Sequence, residues 1–522
     1  MNSFQFPRPS YAFLRQKNEN RFLTAVTEVA SLGKSADAAL GNLGIIRVSM
    51  KIISALILAL ALQRADVTAA EQIVTLGDSL TFAYESGFGT GVTIPFVGSY
   101  GDGFGPGVRN WVEILGNPLY RKSRFDLGAR RSFSVNLPFA GRLSLYLRQE
   151  YNWAVPGMKI DELWKFMNRQ ITVFSLLDPD LAAILALSNF DEDNDFAVEE
   201  MEDQIRNTAE RLTLFIGGND VRAVYGGIYQ QNSAGTFVVD FVNYATLILD
   251  RVLSLNPDIQ IVLVNVPHIG ITPEVKGLYP PDMIKTQRVT DVLIDLNARL
   301  ATLAASRNIG YADVFDLTLP LLGNRPLCIH GINFANGGST SGDLNFVWLN
   351  GPLSRNFHPN TNAQALIANQ IIAAFNERYQ TAIAHLSATE ILGGMHGKTT
   401  AQIDMPFATW MTRFGKTGLP ISDDSDNDGI SAAVEFALGL NPTIHDSDRV
   451  NLLQTGGSLE LSYPIRLPIS SRYTLVPALS TNLITPFIPI VPLPTLGPDG
   501  LARAVLPLTP GSGFMRLQAT IP

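Results

Sequence analysis

Four short blocks of this chain carry the residue types that acyl-transfer chemistry needs. Ile73–Phe82, IVTLGDSLTF, runs from an apolar, β-branched segment straight into Gly77, Asp78 and Ser79. Tyr151–Gly157, YNWAVPG, ends an apolar turn on a glycine, and Leu214–Val221, LFIGGNDV, closes on Gly217, Gly218, Asn219 and Asp220. Arg355–Asn360, RNFHPN, sets His358 just ahead of a helical stretch. A serine hydroxyl becomes a nucleophile when a histidine takes its proton, and a glycine N–H and an asparagine amide are donors suited to a developing oxyanion. Each block also has a plainer reading. Serine after a strand is a common helix N-cap, which the decapeptide alone favours, and His358 alone reads equally as a helix-start residue.

The blocks act together only if the elements around them bring them to one edge. Ile73–Leu76, Leu212–Ile216 and Ile259–Val266 are brief, apolar and rich in branched residues, which predicts buried strands. Phe237–Leu255, Thr290–Ser306 and Asn362–Tyr379 repeat apolar residues every three or four positions, which predicts helices. Alternation of this kind from residue 71 to about 380 gives an α/β class: a parallel sheet with helices on both faces and a ligand site at the carboxyl ends of its strands. Ser79 falls at one such end. Residues 86–150, rich in Gly, Phe and Arg, form a long excursion that is either decoration or a cover over that edge. Asp191–Asp195 is acidic, but Phe196 stands where a calcium loop needs glycine, so the stretch reads as a solvated helix start.

With 522 residues, 46% hydrophobic and 16% charged, the chain is long enough for two or three packed domains. A net charge of −8 argues against a nucleic-acid binder, which needs a basic face. Cys328 is the single cysteine, so no intrachain disulfide forms. Met50 and Lys51, the apolar run Ile52–Leu62, and the small residues Val67, Ala69 and Ala70 have the form of an export signal too short to span a bilayer. Residues 50–70 are therefore read as a signal peptide of a bacterial protein bound for the periplasm, the cell surface or the medium. Residues 1–49 form an upstream segment with no evident role, which a start codon assigned too early explains. No nucleotide, zinc or flavin fingerprint is present, so no cofactor is expected for catalysis.

Beyond residue 380 the composition shifts. Residues 381–420 read as a linker with a short helix, and 421–445 hold DDSDNDGISAAVEFALGLNP. Asp424, Asp426, Asp428, Gly429 and Glu435 satisfy D-x-[DN]-x-[DN]-G-x₅-E, with oxygen ligands at loop positions 1, 3, 5 and 12 and the turn glycine at 6. Ile430 offers its backbone carbonyl at position 7, and Ala432 leaves position 9 to water. The expected ion is a structural Ca²⁺. Leu459–Tyr463, Tyr473–Val476, Ala502–Leu506 and Phe514–Ala519 predict a small β-sandwich over 446–522.

Taken in order, Gly77-Asp78-Ser79-Leu80, Gly157, Gly217-Gly218-Asn219-Asp220 and His358-Pro359 resemble the SGNH hydrolases, also called the GDSL esterase and lipase family, over about residues 71–380. The resemblance implies a flavodoxin-like sheet and a carboxylic ester hydrolase. It also implies Ser79 as nucleophile, His358 as general base, and an oxyanion hole made by the N–H of Ser79, the N–H of Gly157 and the Asn219 side chain. Asp78 and Asp220 are expected to brace loops. One position departs from the family pattern: Arg355 stands three residues before the histidine, where the family usually has aspartate, and a guanidinium cannot accept the imidazole proton. A backbone carbonyl near Ser354, or a carboxylate such as Asp343, then orients His358, or the enzyme is slow. The acidic loop and β-rich tail resemble C-terminal modules of exported bacterial proteins, with cell-surface or polysaccharide attachment as the implied partner. The implied substrates are short acyl or O-acetyl esters on a glycan or lipid. The alternatives are a lipase or phospholipase acting on longer chains, with an acyl trough from residues 86–150, and a catalytically impaired ester- or glycan-binding protein.

Overall fold

The computed structural model describes residues 71–84, 92–94, 98–100, 108–116, 124–137, 141–171, 194–323, 325–339, 343–350, 356–455, 458–464, 472–480, 486–490, 495–496, 501–507 and 514–521. The upstream segment, residues 50–70 read above as an export signal, Arg355 and most of the excursion before residue 108 lie outside the described residues.

Five strands form the central sheet: β1 (Glu71–Gly77), β2 (Phe125–Asp126), β3 (Arg211–Phe215), β4 (Gln260–Val264) and β5 (Gly310–Ala312). They run in the order β2-β1-β3-β4-β5, and every pairing is parallel. This is the flavodoxin-like arrangement, in which the chain leaves β1 and its neighbour β3 toward opposite faces and opens a crevice at their carboxyl ends. Alternate side chains point to opposite faces of a strand. Val74, Leu76, Leu212, Leu214, Ile261 and Leu263 accordingly enter one core, and Ile73, Phe125, Val262, Val264 and Ala312 the other. The first core is covered by α1 (Ile160–Met167), α2 (Asn194–Asn207), α3 (Gly218–Gln231), α4 (Phe237–Leu255) and α5 (Met283–Ser306). The second is covered by α6 (Thr361–Tyr379) and the short helix Trp111–Gly116.

The expected strands and helices are present, with two differences. Helix α5 begins at Met283 because the Asp282 carboxylate caps it, accepting the Lys285 N–H at 2.9 Å; the polar first turns hide this start from apolar periodicity. Strands β2 and β5 are two and three residues long, too short to leave a periodic signal.

Three further strands lie ahead of the histidine block: β6 (Leu327–Ile329), β7 (Ile332–Ser339) and β8 (Phe346–Leu349). β6 and β7 form an antiparallel hairpin, and β8 pairs parallel to β7. Residues 381–420 carry three short helices, Thr389–Met395, Thr400–Ile403 and Phe407–Arg413. Their Ile391, Leu392, Ile403, Trp410 and Met411 are buried, so this stretch is packed chain and not a free linker. Then comes α7 (Ala432–Leu438), ended by Gly439 in the left-handed region at φ 77°. The tail forms two sheets, one built on Ser458–Pro464 and Leu501–Pro507 and the other on Thr474–Ser480 and Phe514–Thr520. Leu461, Tyr463, Ala502 and Ala504 of the first meet Leu475, Met515 and Leu517 of the second, with α7 against them, which makes the tail sandwich-like. Tyr473 and Phe436 also pack with Trp410, seating the tail on the segment that follows the α/β domain. Among the described residues no helix is long and apolar enough to cross a membrane.

Candidate active site

Ser79 sits in a tight turn immediately beyond β1, half-buried. The carbonyl of Asp78 accepts the N–H of Thr81 and of Phe82, each at 3.0 Å, and its Oδ1 accepts the Leu80 N–H at 2.9 Å. The capping role that the sequence offers to Ser79 therefore falls to Asp78, and the serine hydroxyl is not spent on its own turn. Gly77 makes the approach possible. A β-carbon there would lie 2.4 Å from the Phe215 carbonyl oxygen and 2.8 Å from Thr81 Oγ1. Gly77→Ala is expected to destabilise the fold by about 1–3 kcal/mol, the usual cost of forcing extra volume into packed structure. Denaturant unfolding checks this, and an unchanged midpoint would contradict the crowding.

The second block runs alongside β1. Thr75 N–H donates to the Tyr151 carbonyl at 3.0 Å, Trp153 N–H to Thr75 at 2.8 Å, and Val155 N–H to Gly77 at 3.1 Å. Buried Asn152 ties this run to the serine turn: its Oδ1 accepts Thr75 Oγ1–H at 2.9 Å and its Nδ2 donates to the Thr81 carbonyl at 2.9 Å. A turn over Val155–Met158, closed by a 3.2 Å bond, follows, with Gly157 exposed at φ 84°. Pro156 and a positive-φ glycine in the two central positions are what a type II turn asks for.

The third block opens α3. Gly217 precedes it at φ 135°, where a β-carbon would meet Val266 at 2.7 Å, so the backbone can turn here only without a side chain. Asn219 Nδ2 donates to the Met158 carbonyl at 3.1 Å, which places the amide beside the Gly157 turn and leaves its second N–H for a ligand. Asp220 accepts the Ile160 N–H at 3.1 Å and so pins the start of α1, just after the same turn, to α3. Both aspartates brace loops, as the sequence suggests. Burial pushes the Asp78 carboxyl up to about 6, against the lowering effect of the Leu80, Gly217 and Gly218 N–H groups. Its Oδ2 lies beside Gly218. Burial pushes Asp220 up to about 7, with Asp78 and Asp161 adding repulsion.

A carboxyl raised in the folded state stays protonated there while the unfolded chain ionises. Stability therefore falls as pH rises from about 4 to about 7, and the loss is complete above that range. Asp220→Asn keeps the acceptor for Ile160 without the charge. The variant is expected to melt above the parent at pH 8 and level with it at pH 4; equal melting temperatures at pH 8 would contradict the burial argument.

The histidine block is held by β8. Leu349 N–H donates to the His358 carbonyl at 2.9 Å and Asn360 N–H to Val347 at 2.7 Å, an antiparallel pairing that fixes the loop before α6 begins. His358 is buried, with its ring edge-on to Tyr84 at 6.3 Å and to Phe357 at 5.8 Å. Tyr84, five residues after the serine, donates its hydroxyl to the Pro359 carbonyl at 3.3 Å. Of the groups considered for orienting the imidazole, Ser354 lies outside the described residues. Asp343 is exposed, and its Oδ1 accepts the Asn345 N–H at 2.9 Å.

Leu80, Gly218, Phe357 and Pro359 line one cavity of about 650 Å³, counting the space that opens to solvent. The neighbours of Ser79, Asn219 and His358 thus share a single wall. The rest of the lining is mostly apolar and includes Ile269, Ile271, Leu317, Trp348, Leu366 and Ile367. His268, which the sequence reading passed over, also lines it, but both ring nitrogens are engaged. Nδ1 accepts the Gly270 N–H at 3.1 Å, and Nε2 lies 3.1 Å from Thr290 Oγ1, whose own proton goes to the Thr286 carbonyl. Burial lowers this imidazole to about 4. It is a neutral structural group, which leaves His358 as the candidate base.

The family model for GDSL-like lipase/acylhydrolases matches residues 73–371, a span that takes in all four blocks. Among solved structures, the chain is similar to an extracellular lipase from Streptomyces rimosus, at 16% identity and TM-score 0.29, over 58% of this chain and 100% of that one. It is similar to phospholipase A1 from Streptomyces albidoflavus at 15% identity and TM-score 0.29, with the same coverage of 58% and 100%. A catalytic mutant of an acetylxylan esterase from Geobacillus stearothermophilus aligns at 12% identity and TM-score 0.27, over 61% of this chain and 98% of that one. No curated protein matches the chain in sequence.

Proposed function

The chain belongs to the GDSL-like lipase/acylhydrolase family and is an ester hydrolase; from that premise we propose that it cleaves carboxylic esters through an acyl-enzyme on Ser79, with an apolar acyl group seated in the cavity beside it. The observation that carries this reading is the shared wall: residues adjoining Ser79, Asn219 and His358 line one apolar space. Ser79 Oγ attacks the ester carbonyl carbon while His358 takes its proton. The oxyanion that forms is held by the N–H of Ser79, the N–H of Gly157 and the Asn219 amide; removing one such donor costs about 10²- to 10³-fold in rate. The C–O bond then breaks, His358 returns the proton to the leaving alcohol, and water repeats the sequence on the acyl-enzyme.

The cavity favours the longer-chain reading over acetyl esters, because an acetyl group leaves most of this apolar wall in water. Among the described residues, most of the wall comes from the loop after β4, the stretch after β5 and the residues around the start of α6. Hydrolysis of a nitrophenyl ester series, acetate through palmitate, tests it. A medium-length chain is expected to exceed acetate by about 10-fold or more in kcat/KM, since each buried methylene is worth about 0.8 kcal/mol. Ala363→Phe, which narrows the cavity, should remove that preference and spare acetate; acetate as the best substrate of the parent would overturn the assignment. Export through residues 50–70 and attachment of the tail to a cell surface or polysaccharide belong to the same proposal and rest on the sequence alone.

A further inference from the structure

The fold adds to the acidic loop a residue its spacing does not contain. We propose that the carboxylates of Asp424, Asp426, Asp428, Glu435 and Asp446 hold one calcium ion, and that the ion fastens the hairpin that supports the His358 loop.

Asp424, Asp426 and Asp428 each bring a carboxylate oxygen within 4.8 Å of the others. Glu435, on α7, is 1% exposed, and its Oε1 accepts no hydrogen bond; both oxygens of Asp426 and Oδ1 of Asp446 are likewise buried and unmatched. Buried carboxylate oxygens without donors cost free energy unless a cation meets them. The remaining oxygens shape the loop. Asp424 accepts the N–H of Asp428 at 3.1 Å and of Gly429 at 3.2 Å, and Asp428 accepts the N–H of Ile430 at 2.6 Å and of Asp446 at 3.1 Å. Gly429, at φ 86°, makes the turn. A set of hard oxygen donors with neither nitrogen nor sulfur selects calcium over zinc or copper. Asp446 supplies a carboxylate where Ala432 at position 9 offers none. With no counter-charge, carboxylates gathered this closely repel one another. A divalent cation replaces that repulsion with attraction.

The chain between the two outermost ligands is bonded to the β6–β7 hairpin. Gly331 N–H donates to the Gly439 carbonyl at 3.2 Å, Asn441 Nδ2 to Asn333 Oδ1 at 3.2 Å, and Arg325 to the His445 carbonyl at 2.8 Å. β7 pairs with β8, and β8 holds the His358 carbonyl. Ordering residues 424–446 therefore orders the hairpin, through bonded neighbours at every step.

The test uses the full chain, stripped with EDTA and titrated with CaCl₂, followed by calorimetry and backbone hydrogen exchange. One ion per chain is expected, with a dissociation constant below about 10⁻³ M. Exchange should slow across both 424–446 and 327–339. Asp446→Asn and Asp426→Asn are each expected to weaken binding about 10-fold or more. Absence of both heat and protection would overturn the site. Protection confined to 424–446 would overturn the coupling, and unchanged affinity in Asp446→Asn would remove Asp446 from the ligand set. Neither readout involves ester hydrolysis, so the result is independent of the roles given to Ser79 and His358.

Discussion

Ser79→Ala is expected to lower kcat on every ester by about 10⁴-fold or more, with KM and unfolding midpoint nearly unchanged. The size follows from what serine supplies: without the hydroxyl no acyl-enzyme forms, and what survives is the contribution of binding and of the oxyanion donors. The unchanged stability follows from the local structure. The turn is held by the Asp78 carbonyl and carboxylate, by Asn152 and by the close approach of Gly77 to β3, none of which needs the Ser79 side chain. The alanine variant separates the two readings of the serine. A cap lost to alanine costs about 1 kcal/mol of stability and leaves chemistry alone, whereas a nucleophile lost removes the chemistry and leaves stability alone. Substantial hydrolysis by a folded Ser79→Ala protein would show that another group attacks the ester.

His358→Ala is expected to reduce kcat by a similar factor, and added imidazole should restore part of it. The side chain is buried between the edges of the Tyr84 and Phe357 rings, so its removal leaves a space of about the right shape for free imidazole. Its backbone carbonyl still accepts from Leu349, and Asn360 and Asn362 still anchor the start of α6 to the β8 segment. Loss of activity without loss of fold is therefore the expected pattern. Retention of more than a tenth of parental kcat would point to another base. His268 is poorly suited to that part, because both its nitrogens are engaged.

The elements that proved legible in the sequence are those whose burial leaves a pattern. β1, β3 and β4 are buried on both faces and therefore read as continuous apolar runs. α4 runs over Phe237–Leu255, as its periodicity predicts. β2 and β5 gave no signal at two and three residues, since their place in the sheet is decided by neighbouring strands. The four site blocks were legible as residue types in loops, but what binds them together was not. Asn152 looks like part of a turn until the fold sets it between β1 and the serine, and the cavity wall is gathered from separated stretches that no spacing rule connects. Asp446 lies eleven residues beyond Glu435, outside the loop motif, and only the return of the chain after α7 brings it back to the acidic cluster. In the same way, the sequence offers Ser79 as a cap, and the 2.9 Å bond from Leu80 gives that part to Asp78.

The most direct test of the Ser79 assignment is labelling with a nitrophenyl alkylphosphonate, followed by digestion and mass spectrometry. One phosphonyl group per chain is predicted, carried by Ser79 in the peptide beginning IVTLGDS, with ester hydrolysis falling in proportion to its incorporation and no label in Ser79→Ala. Hydrolysis that persists while Ser79 is fully labelled, or inhibition that tracks a label on another residue, would contradict the assignment.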